Sequence, residues 1–363
     1  MLVNHISKQD KILVQVDSDC DGMTSSAVLI NYLHCLYPAY TQNNIIYRLH
    51  TGKQHGIILE EVPKDVKLVI APDSSSNEYD IHKTLAEQGI DVLVIDHHEA
   101  ERISDYACVI NNQLCDYPTK SLSGVGMVYK FCSYIDKLLN ENYADEFLDL
   151  VALGIIADMM PLNDFETKHI INKGINHIRN PYFKGMVQKN EYSLGGELTP
   201  TGIAFYIAPY VNATLRSGTQ EEKKVLFESM LDFKAYELIP STKRGCAGQM
   251  EMRVEQACRV CANAKSRQTK ARDAATESIE KLISKKNLLE NKILVIKLDE
   301  FEIDKNLTGL IANQLMAEYQ RPVLILNKTD AGWEGSGRGY EKSKLKDFRQ
   351  FLIDSELVMY AEG

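Results

Sequence analysis

Three carboxylates at alternate positions, Asp17, Asp19 and Asp21, stand directly behind the apolar run Lys11–Val16. In an extended segment alternate side chains turn to one side. Carboxylates facing one another repel, and burying them uncompensated is costly. Divalent cations are the usual remedy, and hard oxygen ligands suit magnesium or manganese. Gly22 then allows a tight turn into a helix. An EF-hand calcium loop fits poorly, because the twelfth position from Asp17 is Val28 and not Glu. Taken alone, the segment also reads as a solvated acidic turn.

A second cluster, Asp96-His97-His98, follows the apolar run Val92–Ile95. An imidazole can ligate a metal, and a neighbouring carboxylate can fix its tautomer. One histidine in a polar loop after a strand is commonplace; this trio is less so. Asp73 after Val-Ile-Ala-Pro, and Asp158 in Gly154-Ile-Ile-Ala-Asp158-Met-Met-Pro161, are single carboxylates. Each alone reads as a helix cap or turn residue. Four such segments together supply enough ligands for two ions.

The elements that must position these groups are visible as apolar runs. Lys11–Val16, Val66–Ala71 and Val92–Ile95 read as buried strands, with helical spacing over 25–35 and 81–89. Strands alternating with helices imply a parallel sheet with helices on its faces, whose ligands collect at the carboxyl ends of the strands. The acidic clusters at 17–21, 73 and 96–98 fall at three such ends. Residues 123–157 read as mostly helical, with Asp158 at a helix end. From about 220 to 288 the pattern is charged and helical, with a break near Pro240. Strand-like runs resume at Lys292–Lys297 and Pro322–Leu326, around a helix near Gly309–Tyr319. The expected architecture is an α/β fold: an N-terminal domain over 1–218, a helical connector over 219–290 and a smaller C-terminal α/β domain over 291–363.

Composition is that of an ordinary globular chain of 363 residues, 44% hydrophobic and 25% charged, so large cores are affordable. No apolar run reaches the ~18–20 residues of a membrane span. The N-terminus lacks the basic-then-apolar layout of a signal peptide, so a cytoplasmic protein without membrane partners is expected. Eight dispersed cysteines fit free thiols. The pair Cys258-Arg-Val-Cys261 has no second pair or nearby His pair to complete a zinc site. A net charge of −9 excludes a uniformly basic surface. Nucleic-acid binding would need local basic patches and cations at the acidic site. Lys243–Arg272 is one basic stretch that could track a phosphate backbone, although such runs are more often solvated helix faces, and Trp333 is a candidate for stacking or for packing.

In order, the four acidic segments resemble the four motifs of the DHH phosphoesterase superfamily, and Gly154–Leu162 resembles its RecJ-type branch. Tyr47-Arg48 with His55-Gly56, Leu122-Ser-Gly124-Val-Gly126, and Ala208-Pro209…Asn212-Ala213…Arg216 resemble further segments of that branch. Leu307-Thr-Gly309, Arg321-Pro322 and Gly335-Ser336-Gly337-Arg338 resemble the DHH-associated C-terminal domain. The likeness spans nearly the whole chain.

The resemblance implies a DHH domain over 1–218 and two Mn2+ or Mg2+ ions. Asp19 and Asp73 would hold one, with Asp17 nearby. Asp21, His97 and Asp158 would hold the other, with Asp73 bridging. His98 would face the scissile phosphate and Asp96 would orient the histidines. Gln15 stands where some relatives carry a further His ligand. Arg216 and Arg48 are candidate phosphate clamps, since guanidinium donates two hydrogen bonds at once. His55, Asn212, Ser336 and Arg338 are the other expected substrate contacts. The implied activity is 5′-to-3′ exonuclease action on single-stranded DNA by a two-metal mechanism, with RNA or oligonucleotides as other substrates. Partners would be a single-strand-binding protein or other replication and repair proteins. The family's C-terminal domain closes with a Gly-Gly-His-type segment that this chain, ending at Gly363, does not contain, so that domain is expected to be incomplete. The competing readings are a phosphodiesterase for short oligonucleotides or cyclic dinucleotides, a non-catalytic nucleic-acid-binding relative, and a pyrophosphatase. Gln15 and the segments beyond residue 200 disfavour the last.

Overall fold

The computed structural model describes residues 1–51, 54–330 and 332–361. Two compact units divide at Lys265/Ser266, inside the helix Arg253–Lys285.

Five strands form the sheet of the first unit: β1 (Lys11–Val16), β2 (Ile45–Leu49), β3 (Val66–Pro72), β4 (Asp91–Asp96) and β5 (Cys108–Asn111). Their order is β2-β1-β3-β4-β5 and every pairing is parallel. All carboxyl ends therefore share one edge. The three central strands are apolar on both faces, as a sheet covered on both sides requires. Ile12, Val14, Val16, Leu68, Ile70, Leu93 and Ile95 face the larger core, beneath the helices Cys20–Leu36, Gly124–Leu139 and Leu148–Ala157. The alternate residues Leu13, Val69, Ala71, Val92 and Val94 join Leu85 and Ile90 on the other face. The period-2 division of side chains is the reason these runs form strands and not helices.

The helix Leu148–Ala157 is apolar all round and almost wholly buried. That burial fixes Asp158, its C-cap, at the rim of the larger core. The expected helical stretch 123–157 is thus two helices with a 3-10 turn, Ala144–Phe147, between them. Near Pro240 the expected break is a small antiparallel hairpin of β6 (Leu238–Pro240) and β7 (Met250–Met252).

The second unit has its own sheet, with β8 (Leu294–Leu298), β9 (Val323–Thr329) and β10 (Gly332–Arg338) in the order β10-β9-β8. β8 and β9 are parallel, β9 and β10 antiparallel. Leu307, Ile311 and Leu315 of the helix Lys305–Tyr319 pack with Leu294, Ile296, Val323 and Ile325 in a separate core. The α/β class and the parallel sheet flanked by helices are as the sequence implies. Glu362 and Gly363, where the family's closing segment is expected to break off, lie outside the described residues.

Candidate metal centre

The carboxyl ends of β1, β3 and β4 and the end of helix Leu148–Ala157 bring six expected residues together. Ligand atoms of Asp21, His97 and Asp158 lie within 4.8 Å of one another, as do those of Asp17, Asp19 and Asp73. A third set of the same span joins Asp73 to Asp96, His97 and His98. His97 Nε2 is 3.2 Å from Asp73 Oδ1, 3.7 Å from Asp158 Oδ2 and 4.0 Å from Asp21 Oδ2. Asp73 thus belongs to two sets, which makes it the group between them.

Helix ends set the local electrostatics. Asp19 is the N-cap of Cys20–Leu36 and accepts from Gly22 N at 2.9 Å. Asp21 lies in that helix's first turn and also meets the N-terminus of Gly124–Leu139. There it accepts from Ser123 Oγ at 2.9 Å, Gly124 N at 2.6 Å and Val125 N at 3.2 Å. Helix N-termini favour anions. Asp158 is placed the other way, at a helix C-terminus, where the macrodipole disfavours negative charge.

The acids respond in two opposite ways. Burial first, then repulsion from Asp21, pushes Asp19 up to about 6. Burial followed by Asp21 and Asp19 pushes Asp158 up to about 7 and drives Asp73 well above the usual carboxylate range. Asp73 Oδ1 is buried with no hydrogen-bond partner. Asp96 behaves differently. Burial opposes its ionisation, but hydrogen bonds from His98 Nδ1 (2.7 Å), Ser76 N (3.2 Å) and His97 N (2.7 Å) hold it down at about 2. The Asp96 hydrogen bond in turn raises His98 to about 9, whereas burial lowers His97.

These shifts fix a pH dependence for the metal-free chain. Carboxyls raised in the folded state bind protons that the unfolded state has already released. Stability therefore falls as pH rises from the unfolded value of about 4 through about 7. His98 adds to the fall above pH ~6.5, and the depressed His97 partly offsets it below that. In chelator, the melting temperature is expected to be several degrees lower at pH 8 than at pH 5.5. Saturating Mn2+ should recover roughly 5–10 °C at pH 8, on the order of 2–3 kcal/mol of linkage. Thermal melts at the two pH values check this, and a chelated protein more stable at pH 8 would contradict it.

Glycines make the close approach possible. A Cβ on Gly124 would meet Asp73 Oδ1 at 2.2 Å, and one on Gly154 would meet Thr24 Oγ1 at 2.3 Å and Asp21 Oδ1 at 2.6 Å. Gly22 has the same function and not the expected turn. Its φ is not in the left-handed region, and a Cβ there would meet Asp17 Cβ at 2.5 Å. Gly154→Ala is expected to displace Asp21 and weaken Mn2+ binding by about 10-fold or more, since overpacking costs roughly 1–3 kcal/mol. Isothermal calorimetry beside a melt would separate this from unfolding.

The remaining expected residues are distributed more widely. His55 Nδ1 is 2.9 Å from Asp17 Oδ2. Arg48 is exposed near the end of β2. Asn212 and Arg216 lie on the helix Ala208–Ser217, which packs on Cys20–Leu36 and Leu148–Ala157. No hydrogen bond or ion pair links either to the acid cluster among the described residues. In the second unit, Ser336 Oγ meets Thr308 Oγ1 at 2.8 Å and Arg338 Nη2 lies over Gly309. Much of the basic stretch is spent internally. Lys243 and Arg259 pair with Glu251, and Arg253 with Glu228 and Glu237. Trp333 is 38% exposed, with Lys297 Nζ 5.4 Å from its ring centre. Cys258 and Cys261 are free thiols on one helix, as the sequence implies.

Sequence reasoning missed Ser123 as an Asp21 partner, Ser76 as a donor to Asp96, and His50, whose Nε2 is 3.4 Å from Asp17 Oδ1. It also missed Asn111, which donates to the His98 carbonyl at 2.9 Å. The Leu122–Gly126 motif carried a signal for Ser123; the other three carried none.

Residues 11–155 match the model of the DHH family, N-terminal domain. The whole chain is 42% identical over 368 residues to a putative SPbeta prophage-derived single-strand DNA-specific exonuclease, YorK, of Bacillus subtilis, covering 63% of that protein. It is 28% identical over 362 residues to the single-stranded-DNA-specific exonuclease RecJ of the same organism, matching 97% of this chain and 41% of that one. The chain thus spans less than two thirds of the length of these relatives. A crystal structure of exonuclease RecJ bound to manganese superposes with a TM-score of 0.71 at 20% identity, over 90% of this chain and 78% of that one, so the fold is shared. Residues 11–155 thus match a DHH-family N-terminal domain, in a chain similar along its whole length to proteins named single-strand DNA-specific exonucleases.

Proposed function

We propose that this chain hydrolyses phosphodiester bonds of single-stranded DNA as a 5′-to-3′ exonuclease, using two divalent cations. The observation that carries the reading is the pair of adjacent ligand sets, Asp19 with Asp73 and Asp21 with His97 and Asp158, which share Asp73 as neighbour. The donor set fits such ions. Carboxylate oxygens and an imidazole suit Mn2+ or Mg2+, and the unpartnered Asp73 Oδ1 and the misplaced charge of Asp158 are what a cation relieves. When bound, the ions supply charge neutralisation at the phosphate and activation of water.

The chain's own groups do the rest. Asp96 fixes the tautomer and direction of His98, leaving its Nε2 free to donate a proton or hydrogen bond to the phosphate or the departing oxygen. Arg216, Arg48, His55 and Asn212 are assigned to gripping the strand, with Ser336 and Arg338 in the second unit. The preference for a single DNA strand follows the names of the relatives. The proposed organisation is a DHH phosphoesterase domain over 1–218, a helical connector over 219–290 and a DHH-associated C-terminal domain over 291–363. A cytoplasmic setting agrees with eight free thiols, and no described helix is long and apolar enough to cross a membrane. A single-strand-binding protein is the natural partner of such an activity.

The test is release of mononucleotides from end-labelled single strands with Mn2+ or Mg2+, beside duplex DNA, RNA and dinucleotides. Cleavage of dinucleotides alone would move the reading to a short-oligonucleotide phosphodiesterase. Strand binding without cleavage would make it a binding relative.

A further inference from the structure

Asp17 is unlike Asp19, Asp73 and Asp158, because protein donors already occupy both its oxygens. His55 Nδ1 reaches Oδ2 at 2.9 Å, and Oδ1 takes Gly56 N at 3.3 Å with His50 Nε2 at 3.4 Å. A cation is therefore not needed to make Asp17 tolerable.

The donors are themselves built in. The His50 carbonyl accepts from buried Lys223 Nζ and from Gln220 Nε2, each at 3.1 Å. Ile57 N donates to Glu78 Oε2 at 3.0 Å, and Gly56, at φ +69°, leaves no room for a Cβ beside that carboxylate. The segment 55–57 is thus tied to Asp17 on one side and Glu78 on the other. His55 itself is 65% exposed, its Nε2 has no described partner, and it feels the charges of both Asp19 and His98. Asp96 and His98 repeat the pattern: a strand-end carboxylate takes backbone N–H groups and one Nδ1, and the exposed imidazole keeps Nε2 free.

We infer that Asp17 and His55 form a second Asp–His pair, in which His55 Nε2 binds a phosphate of the substrate strand and Asp17 is a positioning residue for His55, not a metal ligand. This rests on the phosphodiesterase reading above and assigns Asp17 a role different from that implied by the motif it occupies.

The test uses the full chain and the variants His55→Ala, Asp17→Asn and the double variant. Manganese bound per chain is measured by calorimetry, and KM and kcat on a single-stranded oligonucleotide by steady-state kinetics. Both single variants are expected to keep the wild-type manganese stoichiometry and to raise KM by about 10-fold or more, the worth of one charge-assisted hydrogen bond. The double variant should be no worse than either single one, since the two residues act as one unit. Loss of one manganese in Asp17→Asn, an unchanged KM in His55→Ala, or multiplying effects in the double variant each overturn the inference. Should Asp17→Asn fail to fold in a melt, His55→Ala decides alone, with partial rescue by His55→Gln as the expected companion result. A wild-type chain that cuts no phosphodiester overturns both readings. One that cuts, with a His55→Ala chain that matches it, overturns only this one.

Discussion

Asp73→Asn is expected to lower phosphodiester hydrolysis by on the order of 10³-fold or more, and at the same time to raise the melting temperature of the metal-free protein at pH 8 by several degrees. The two effects have one cause. Asp73 is the carboxylate shared by two ligand sets, fully buried, with Oδ1 unpartnered and His97 Nε2 3.2 Å away. Its ionisation is opposed by burial and by Asp21 and Asp19, so the charge is tolerable only when a cation answers it. Asparagine keeps the shape and tolerates the positive φ of 66° found at this position. It removes the charge and with it the repulsion. Calorimetry should show fewer manganese ions bound, and a melt in chelator should show the gain in stability. A variant that cuts at the parental rate would remove Asp73 from the chemistry. A variant that loses activity and stability together would mark the residue as structural.

What could be read in the sequence follows from how each element is buried. β1, β3 and β4 are covered on both faces, so each is a largely apolar run that leads into one of the acidic segments. The convergence of Asp17–Asp21, Asp73 and His97 follows from parallel strands sharing one edge. β2 and β5 are the edge strands, short and only partly buried, and their composition does not announce them. His50, just past the end of β2, and Asn111, the last residue of β5, were therefore illegible as partners of Asp17 and His98. The glycines were legible as residues but not in their function. That a Cβ at 124 would strike Asp73, or one at 154 strike Asp21, depends on contacts between segments far apart in the chain. Pairing within the basic stretch was equally hidden: Lys243 and Arg259 meet Glu251, and Arg253 meets Glu228 and Glu237.

The placement of the acids on helix ends also separates their roles. Asp21 draws support from two helix N-termini and from three protein donors. Asp158 sits at the negative end of a buried helix, followed by Met159 at φ +56°, with no hydrogen-bond donor to its carboxylate among the described residues. A local conflict of this kind, held in place by the well-packed helix behind it, belongs to a binding site more than to a stability device. On the two-cation reading, Asp158 would join Asp73 among the acids that need a cation, and Asp21 would prearrange the site.

His98→Ala is expected to lower kcat by about 10²–10⁴-fold, the usual worth of a positioned acid or electrostatic donor, with manganese binding retained. Retention is expected because His98 is 58% exposed and its Nδ1 is committed to Asp96 at 2.7 Å, whereas His97 Nε2 is the imidazole nitrogen amid three carboxylates. Asp96→Asn should cost less, since an amide oxygen can still accept from Nδ1 but no longer holds the ring protonated. The pH dependence separates the two variants. In the metal-free protein the Asp96 hydrogen bond raises His98 to about 9, so the parent's alkaline limb should reflect His98 and lie below that value once cations share the site. In Asp96→Asn the same limb should move toward neutral pH, because the carboxylate that favours imidazolium is gone. In His98→Ala the limb should vanish. A limb that stayed in place in Asp96→Asn would mean that some other group carries the proton. That result would reduce the Asp96–His98 pair from a catalytic device to a clasp at the end of β4.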